Sequence, residues 1–418
     1  MPDMPVGAAG PDEQLRRKQQ YLIPCVYQFY RNPPHIVAAD GCWLYDHTGR
    51  RYLDCYCGVT VMNAGHGNPA IIEPAIGQIR TLQHTTSIYL TEPILRLAER
   101  LARLVPRPLK RSFFCASGSE AVEGALLLAA LHTKRPEIVA MRNGLHGRTR
   151  WAMNATGLDM WRTDPFPQAE VHHVPFGDVS ALSSLLAARG DRIAAVVGEP
   201  IQGNGGINVP PDDYWPAVRD VCTRHGALLV LDEVQTGFGR TGRWFACQRW
   251  GIVPDVLVLS KALGNGFPIA AFVTSDAIAA SYTRPGASTH GGNPVAATAA
   301  LATLRFHEAQ RLAERADRLG TQFLEGLIAL AVRHRCFGTP RGKGLMIGVD
   351  VLDEGGQPDS ARLDRLLESL KDRGFLCGKT GAGRNVLTFM PPLVIEPGQL
   401  DTVLEALDAA VRESENTA

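Results

Sequence analysis

Short apolar runs recur along the chain at 112–116, 138–141, 193–198, 227–231, 255–259 and 269–274, each closed by a polar or glycine-rich turn. Unbroken apolar runs of this length read as strands buried on both faces, because a strand with one wet face would alternate. Between them lie stretches with helical spacing near 70–82, 118–133 and 213–225, and a longer one from Pro294 to about Leu319. Strand and helix in alternation predict an α/β architecture, a mostly parallel sheet sandwiched by helices. A different pattern precedes this block. Alternating apolar positions at 41–46 and 51–54, joined by His47-Thr48-Gly49-Arg50, predict a β-hairpin, and residues 1–24 read as a loosely held arm. Past Gly320, helices and short strands mix. The expected division is an N-terminal arm and hairpin (1–70), a large domain (71–319) and a C-terminal part (320–418).

Two of these strands end in reactive side chains. The run at 227–231 closes on Asp232-Glu233, and the run at 255–259 on Ser260-Lys261. The carboxyl ends of parallel strands are where open α/β sheets hold ligands. A carboxylate and an amine brought to one sheet edge suit a ligand with a cationic ring and an aldehyde, and pyridoxal phosphate has both. An ordinary lysine, with a pKa of about 10.4, stays protonated at neutral pH and is no base; burial beside a cation lowers it.

A third strand end suits an anion. After 112–116 comes Ser117-Gly118-Ser119-Glu120 and a helix start, which aims free N–H groups and a positive dipole end at one point. The same residues also suit a plain capped helix, with Ser117 and Glu120 as a capping box and no ligand.

The segment Asp232-Glu233-Val234-Gln235-Thr236-Gly237-Phe238-Gly239-Arg240-Thr241-Gly242, followed by Ser260-Lys261-Ala262-Leu263-Gly264-Asn265-Gly266-Phe267-Pro268, resembles the class III pyridoxal-phosphate aminotransferases. Further motifs follow in that family's order from about Gly41 to about Pro397. The resemblance implies fold type I, with a sheet of the seven-stranded type and a smaller α+β domain built from both chain ends. It implies Lys261 as the Schiff-base residue and later the acid/base that shifts a proton, and Asp232 as the partner of the ring nitrogen. Val234 and Leu145 would cover the two ring faces, and Gln235 would meet the ring hydroxyl. Glu199 and Gln202 match positions beside the cofactor, and Gly118 and Ser119 match the phosphate cup. Thr289 matches a residue that reaches the phosphate of the neighbouring subunit, which implies a homodimer. Val59 and Tyr89 match the substrate pocket, although hairpin and core packing explain them equally well. His146 either lies near the ring or is a turn histidine.

The chain departs from the family pattern in three places. The residue before His146 is usually aromatic and here is Leu145, which forfeits a stacking contribution of about 0.5–1.5 kcal/mol. Many members that use glutamate or 2-oxoglutarate carry an arginine where this chain has Thr388, and some pair it with a glutamate where this chain has Asn204. Threonine cannot supply a bidentate, charge-assisted clamp. Arg384 is the nearest replacement, or else a surface-loop arginine.

The expected reaction is transamination through pyridoxamine phosphate, from an amino donor to an aldehyde or ketone. The expected substrate is an ω-amine, an amino alcohol or an amino sugar. The same lysine chemistry also serves an amino-alcohol-phosphate phospho-lyase, which the segment Arg384-Asn385-Val386-Leu387 resembles, or an amine epimerase. A cofactor-binding scaffold is the non-enzymatic alternative, and an intact lysine at the sheet edge argues against it.

Bulk properties narrow the classes further. The 418 residues are 45% hydrophobic and 20% charged with a net charge of +1, which gives no electrostatic case for nucleic acid or an anionic membrane. No apolar run approaches the roughly 20 residues of a membrane helix, and residues 1–20 lack the apolar core of a secretory signal. The nine cysteines have no metal-ligand spacing, so reduced thiols, a cytoplasmic location and no metal are expected.

Overall fold

The computed structural model describes residues 10–167 and 170–416. Its centre is a seven-stranded sheet in the order Arg111–Cys115, Ala270–Thr274, Val256–Leu259, Leu228–Asp232, Ile193–Gly198, Glu137–Met141, Val171–Val174. Ala270–Thr274 runs antiparallel to both neighbours, and the other pairs are parallel. The apolar runs are explained by what lies on either face. Leu229, Leu231, Leu257 and Leu259 join one core with Trp215 and Phe245. Leu228, Val230, Val256 and Val258 join the other, with Ala121 and Leu128 of the helix Gly118–Thr133. Side chains alternate along a strand, so a strand covered on both sides must be apolar at every position. Each such leucine or valine contributes about 1.5–3 kcal/mol by leaving water.

The hairpin forms as its pattern predicts, with Trp43 opposite Leu53. Asp46 closes its turn by accepting from the backbone N–H groups of Thr48 and Arg50 and from the Thr48 hydroxyl. A further core gathers residues from both chain ends, joining Cys42 and Leu53 to the helices Leu312–Arg333, Ser360–Asp372 and Pro397–Asn416 and the strands Met346–Asp350 and Val386–Phe389. The architecture is α/β with a smaller α+β part.

The helices depart from the expected pattern. The long helix from Pro294 is two helices, Pro294–Ala309 and Leu312–Arg333, broken where Arg311 takes φ +49°, a conformation that cannot continue a right-handed helix. The second of these runs unbroken across residue 319. The arm contains a helix, Pro11–Tyr21, none of whose residues is buried. Among the described residues, no helix is long and apolar enough to cross a membrane, and no cluster of three or more His, Cys, Asp or Glu side chains suits a metal ion.

Candidate active site

The strands Leu228–Asp232 and Val256–Leu259 are parallel neighbours with Asp232 opposite Val258, so Asp232 and Lys261 emerge at one sheet edge. Both line a cavity of about 210 Å³, together with Ser119, Leu145, His146 and Glu199. A larger hollow of about 570 Å³ lies at the opposite edge. Its cations are already satisfied, Arg135 by the carbonyls of Ile193, His225 and Gly226 and Arg219 by Asp255, so the chemistry belongs to the smaller cavity.

Lys261 borders this cavity, so part of its surface is accessible, while its amine is enclosed deep in the fold. Burial pushes its pKa down to about 8, against the pull of the Asp232 and Glu199 charges. The ion pair in the cavity is a different one. Asp232 Oδ2 accepts from His146 Nδ1 at 2.8 Å, and Asp232 Oδ1 accepts from the Val234 N–H at 3.1 Å. Burial works against a charge on His146, but the hydrogen bond and charge of Asp232, with Glu199 behind, raise its pKa overall. The turn-histidine alternative therefore gives way to a buried partner of the acid.

Glu199 ties two loops together. Its carboxylate accepts from the Leu145 N–H and the Gly203 N–H, each at 2.9 Å, and burial pushes its pKa up to about 7 despite the nearby His146 charge. Gly203 lies so close to Gln235 that a Cβ there would stand 2.4 Å from Gln235 Oε1.

At the helix start, the Ser117 hydroxyl accepts from the Glu120 N–H at 3.3 Å, while the Glu120 carboxylate accepts from the Ala116 N–H at 2.9 Å, one residue before the N–H that a capping box would use. The cap leaves Gly118 and Ser119 lining the cavity, so a capped helix does not close this end to an anion. Gly147, at φ +147°, packs onto this cradle, and a Cβ there would lie 2.6 Å from Ser119 Oγ.

These residues fit pyridoxal 5'-phosphate. Gln235 Oε1 is buried and has no hydrogen-bond partner among the described residues, although it borders the same cavity as the amine and the carboxylate. Buried acceptors are rarely left unpaired, and a ring hydroxyl would complete this one. The carboxylate end, the amine and the helix start match the ligand's ring nitrogen, aldehyde and phosphate in kind.

The structure brings Gly118, Ser119, Leu145, His146, Glu199, Asp232, Val234, Gln235 and Lys261 to one cavity. Others lie outside it. Thr289 is exposed on the loop before Asn293, and Tyr89 is 67% exposed. Val59 is half-buried in a turn where Cys57, Gly58, Val59 and Thr60 have φ of 58°, 57°, 64° and 61°. Thr388 is fully buried, its hydroxyl bonded to that of Thr380 at 2.7 Å. Arg384 is half-buried against Tyr27 and Phe29. Gln202 gives its amide to the Arg142 carbonyl at 2.7 Å and does not line the cavity. Sequence reasoning missed Gly147 and Ser260, which do line it. Their adjacency to His146 and Lys261 was the available signal.

The profile described as aminotransferase class-III matches residues 29–411. The acetylornithine aminotransferase of Mycobacterium tuberculosis is 43% identical, over 96% of this chain and 97% of its own. An amine transaminase from an uncultivated Pseudomonas species, solved in its PLP-bound form, superposes with a TM-score of 0.86 at 31% identity, over 92% of this chain and 96% of its own. A phospholyase from Arthrobacter, solved with phosphoethanolamine, gives 0.88 at 31% identity, over 96% and 99%. With a family match across nearly the whole chain and a fold and cavity to suit it, the chain belongs to the class III aminotransferases, enzymes that depend on pyridoxal phosphate.

Proposed function

We propose that the enzyme moves an amino group from a primary amine donor to an aldehyde or ketone acceptor, and that the donor is an ω-amine, an amino alcohol or an amino sugar. The observation that carries the reading is the enclosed Lys261 amine, held near pKa 8 in the cavity that Asp232 also lines. Thr388, turned into the fold, offers no charge to an α-carboxylate, which favours donors other than simple α-amino acids.

Bound pyridoxal phosphate supplies an electron sink that lets a proton leave the substrate carbon next to nitrogen. Lys261 Nζ, neutral in a useful fraction of molecules, takes that proton and returns it. Asp232 would hold a positive charge at the ring nitrogen, and His146 fixes the carboxylate by its hydrogen bond. Val234 and Leu145 would cover the ring faces, Gln235 would meet the hydroxyl, and Gly118, Ser119 and the helix start would hold the phosphate.

We further assign a homodimer, with Thr289 reaching the neighbouring site. Ile88, Tyr89 and Leu90 are 82%, 67% and 89% exposed, an apolar strip suited to a second copy. A cytoplasmic location agrees with nine cysteines that form no disulfide.

The likeness to a phospholyase favours one second reading, phosphate elimination from an amino-alcohol phosphate. A donor and acceptor screen on the yellow holoenzyme tests both. Bleaching by an amine with formation of a carbonyl product supports transamination. Inorganic phosphate released from phosphoethanolamine supports the lyase, and inversion of an amine centre without any acceptor defeats both.

A further inference from the structure

We infer that Cys55 and Cys377 form a redox-active dithiol, covered by Tyr30, which a peroxide closes to a disulfide that locks the two chain ends together. The strands Arg51–Asp54 and Phe375–Leu376 run parallel, with Phe375 beside Leu53 and Leu376 beside Asp54. Pairing continues one residue further. The Cys55 N–H donates to the Leu376 carbonyl at 2.9 Å, so Cys55 and Cys377 come next in register. Neighbouring strands lie about 4.8 Å apart, within the roughly 4.4–6.8 Å of Cα separation that a disulfide spans. Successive side chains point to opposite faces, so both sulfurs share the face of Leu53, and all three residues join one core. A hydrogen bond already links the two thiols.

The other buried thiols nearby are placed differently. Cys42 stands beside Asp54, whose N–H donates to the Cys42 carbonyl at 2.8 Å. Cys57 turns to Asn63, donating to its Oδ1 at 3.9 Å.

Cys55 and Cys377 are 1% and 2% exposed. The Tyr30 hydroxyl donates to the Cys377 carbonyl at 3.1 Å and accepts from the Cys377 N–H at 3.0 Å, which seats it on this strand. Residues 21–28, which lead to it, are all exposed, and a segment with few buried contacts opens readily. The shared hydrogen bond, then burial, pushes the Cys55 thiol well above its ordinary value. Thiolate is therefore scarce while the cover is seated, and the pair rests reduced.

When the cover lifts, one thiolate attacks the peroxide and its O–O bond breaks, leaving a sulfenic acid and a water. The second sulfur then displaces the sulfenic oxygen as another water. Two S–H bonds and one O–O bond give way to one S–S and two O–H bonds, and two electrons pass from sulfur to peroxide. The new bond joins residues more than 300 positions apart, which restricts the unfolded chain and raises stability. It also fixes the strand that runs into the left-handed turn of Cys57–Thr60.

The test treats holoenzyme with hydrogen peroxide, alkylates it, digests it without reductant and maps it by mass spectrometry. The expected product is one cross-linked pair of peptides, containing Cys55 and Cys377, that dithiothreitol separates. The oxidised chain should melt roughly 3 °C or more above the reduced one, a gain absent in Cys377→Ser. Tyr30→Phe, which keeps the ring without its hydroxyl, should speed cross-linking about threefold to tenfold. A bond between different cysteines, sulfinic acid in place of the bond, or a free dithiol once the exposed Cys25 is fully oxidised overturns the proposal. So does an oxidised chain that melts no higher, or an unchanged rate in Tyr30→Phe. The peptide map of the wild-type chain decides the bond even where a variant fails to fold.

Discussion

The Asp232 carboxylate takes its hydrogen bond from His146 Nδ1 at 2.8 Å and not from the Lys261 amine that lines the same cavity. A buried carboxylate and ammonium free to meet would pair and neutralise each other's chemistry. Held apart in this way, the acid would be free to meet a ring nitrogen and the amine an aldehyde. Replacing Asp232 by Asn removes the anion while preserving shape. Steady-state transamination should fall by roughly a hundredfold to a thousandfold, with the protein still folded by circular dichroism. Wild-type turnover in that variant would remove Asp232 from the mechanism.

Lys261 predicts a pH dependence for cofactor uptake. Only the neutral amine attacks an aldehyde, and the folded chain has pushed its pKa down to about 8. Below that value the amine is mostly protonated, so uptake slows as pH falls. Above it the amine is mostly neutral, so uptake levels off. Stopped-flow absorbance on the apoenzyme should therefore rise between pH 7 and 9 with a midpoint near 8. A rate still climbing at pH 10 would indicate an ordinary exposed lysine.

Gly147 tests the phosphate cradle. A Cβ there would stand 2.6 Å from Ser119 Oγ and 2.8 Å from Ser119 Cα, so the cradle has to move in Gly147→Ala. Affinity for pyridoxal phosphate should drop more than tenfold, an effect of about 1.4 kcal/mol or more. Pyridoxal, which lacks the phosphate, should lose far less. Equal losses for the two ligands in equilibrium titrations would point to general damage and away from the phosphate.

Arg240 predicts stability instead of chemistry. It is fully buried, and its guanidinium joins the carbonyls of Leu345 and Pro391 and the Asn63 side chain, knitting the loop after Asp232 to both chain ends. Arg240→Ala strands these acceptors, each bond to a charged donor contributing about 1.5–3 kcal/mol. Urea unfolding of the apoenzyme should show a loss of roughly 3 kcal/mol or more. A change below 1 kcal/mol would mean that water replaces the guanidinium without penalty.

Much of this was legible in the chain, for physical reasons. Strands covered on both faces must be apolar throughout, so the sheet stood out and its polar ends with it. Asp232, Lys261 and the Ser117–Ser119 turn followed from that. The strand Val171–Val174 did not, because His172 and His173 break its apolar run while His172 bonds Glu137. Only Gly58 hinted at the left-handed turn of Cys57–Thr60, in which three other residues share its φ. The helix break at Arg311 carried no glycine or proline to announce it. Tyr27 and Phe29 sit more than 350 positions from Arg384, and nothing local in either segment foretells that they stack. Local chemistry could be read in advance; contacts between distant segments needed the fold.

Lys261 is the residue proposed to capture the cofactor aldehyde. Borohydride reduction of the yellow holoenzyme, followed by proteolysis and mass spectrometry, tests this directly. The predicted result is a pyridoxyl-phosphate mass on the peptide containing Lys261 and on no other lysine. The label on a different lysine, or a yellow protein that reduction leaves unlabelled, would contradict it.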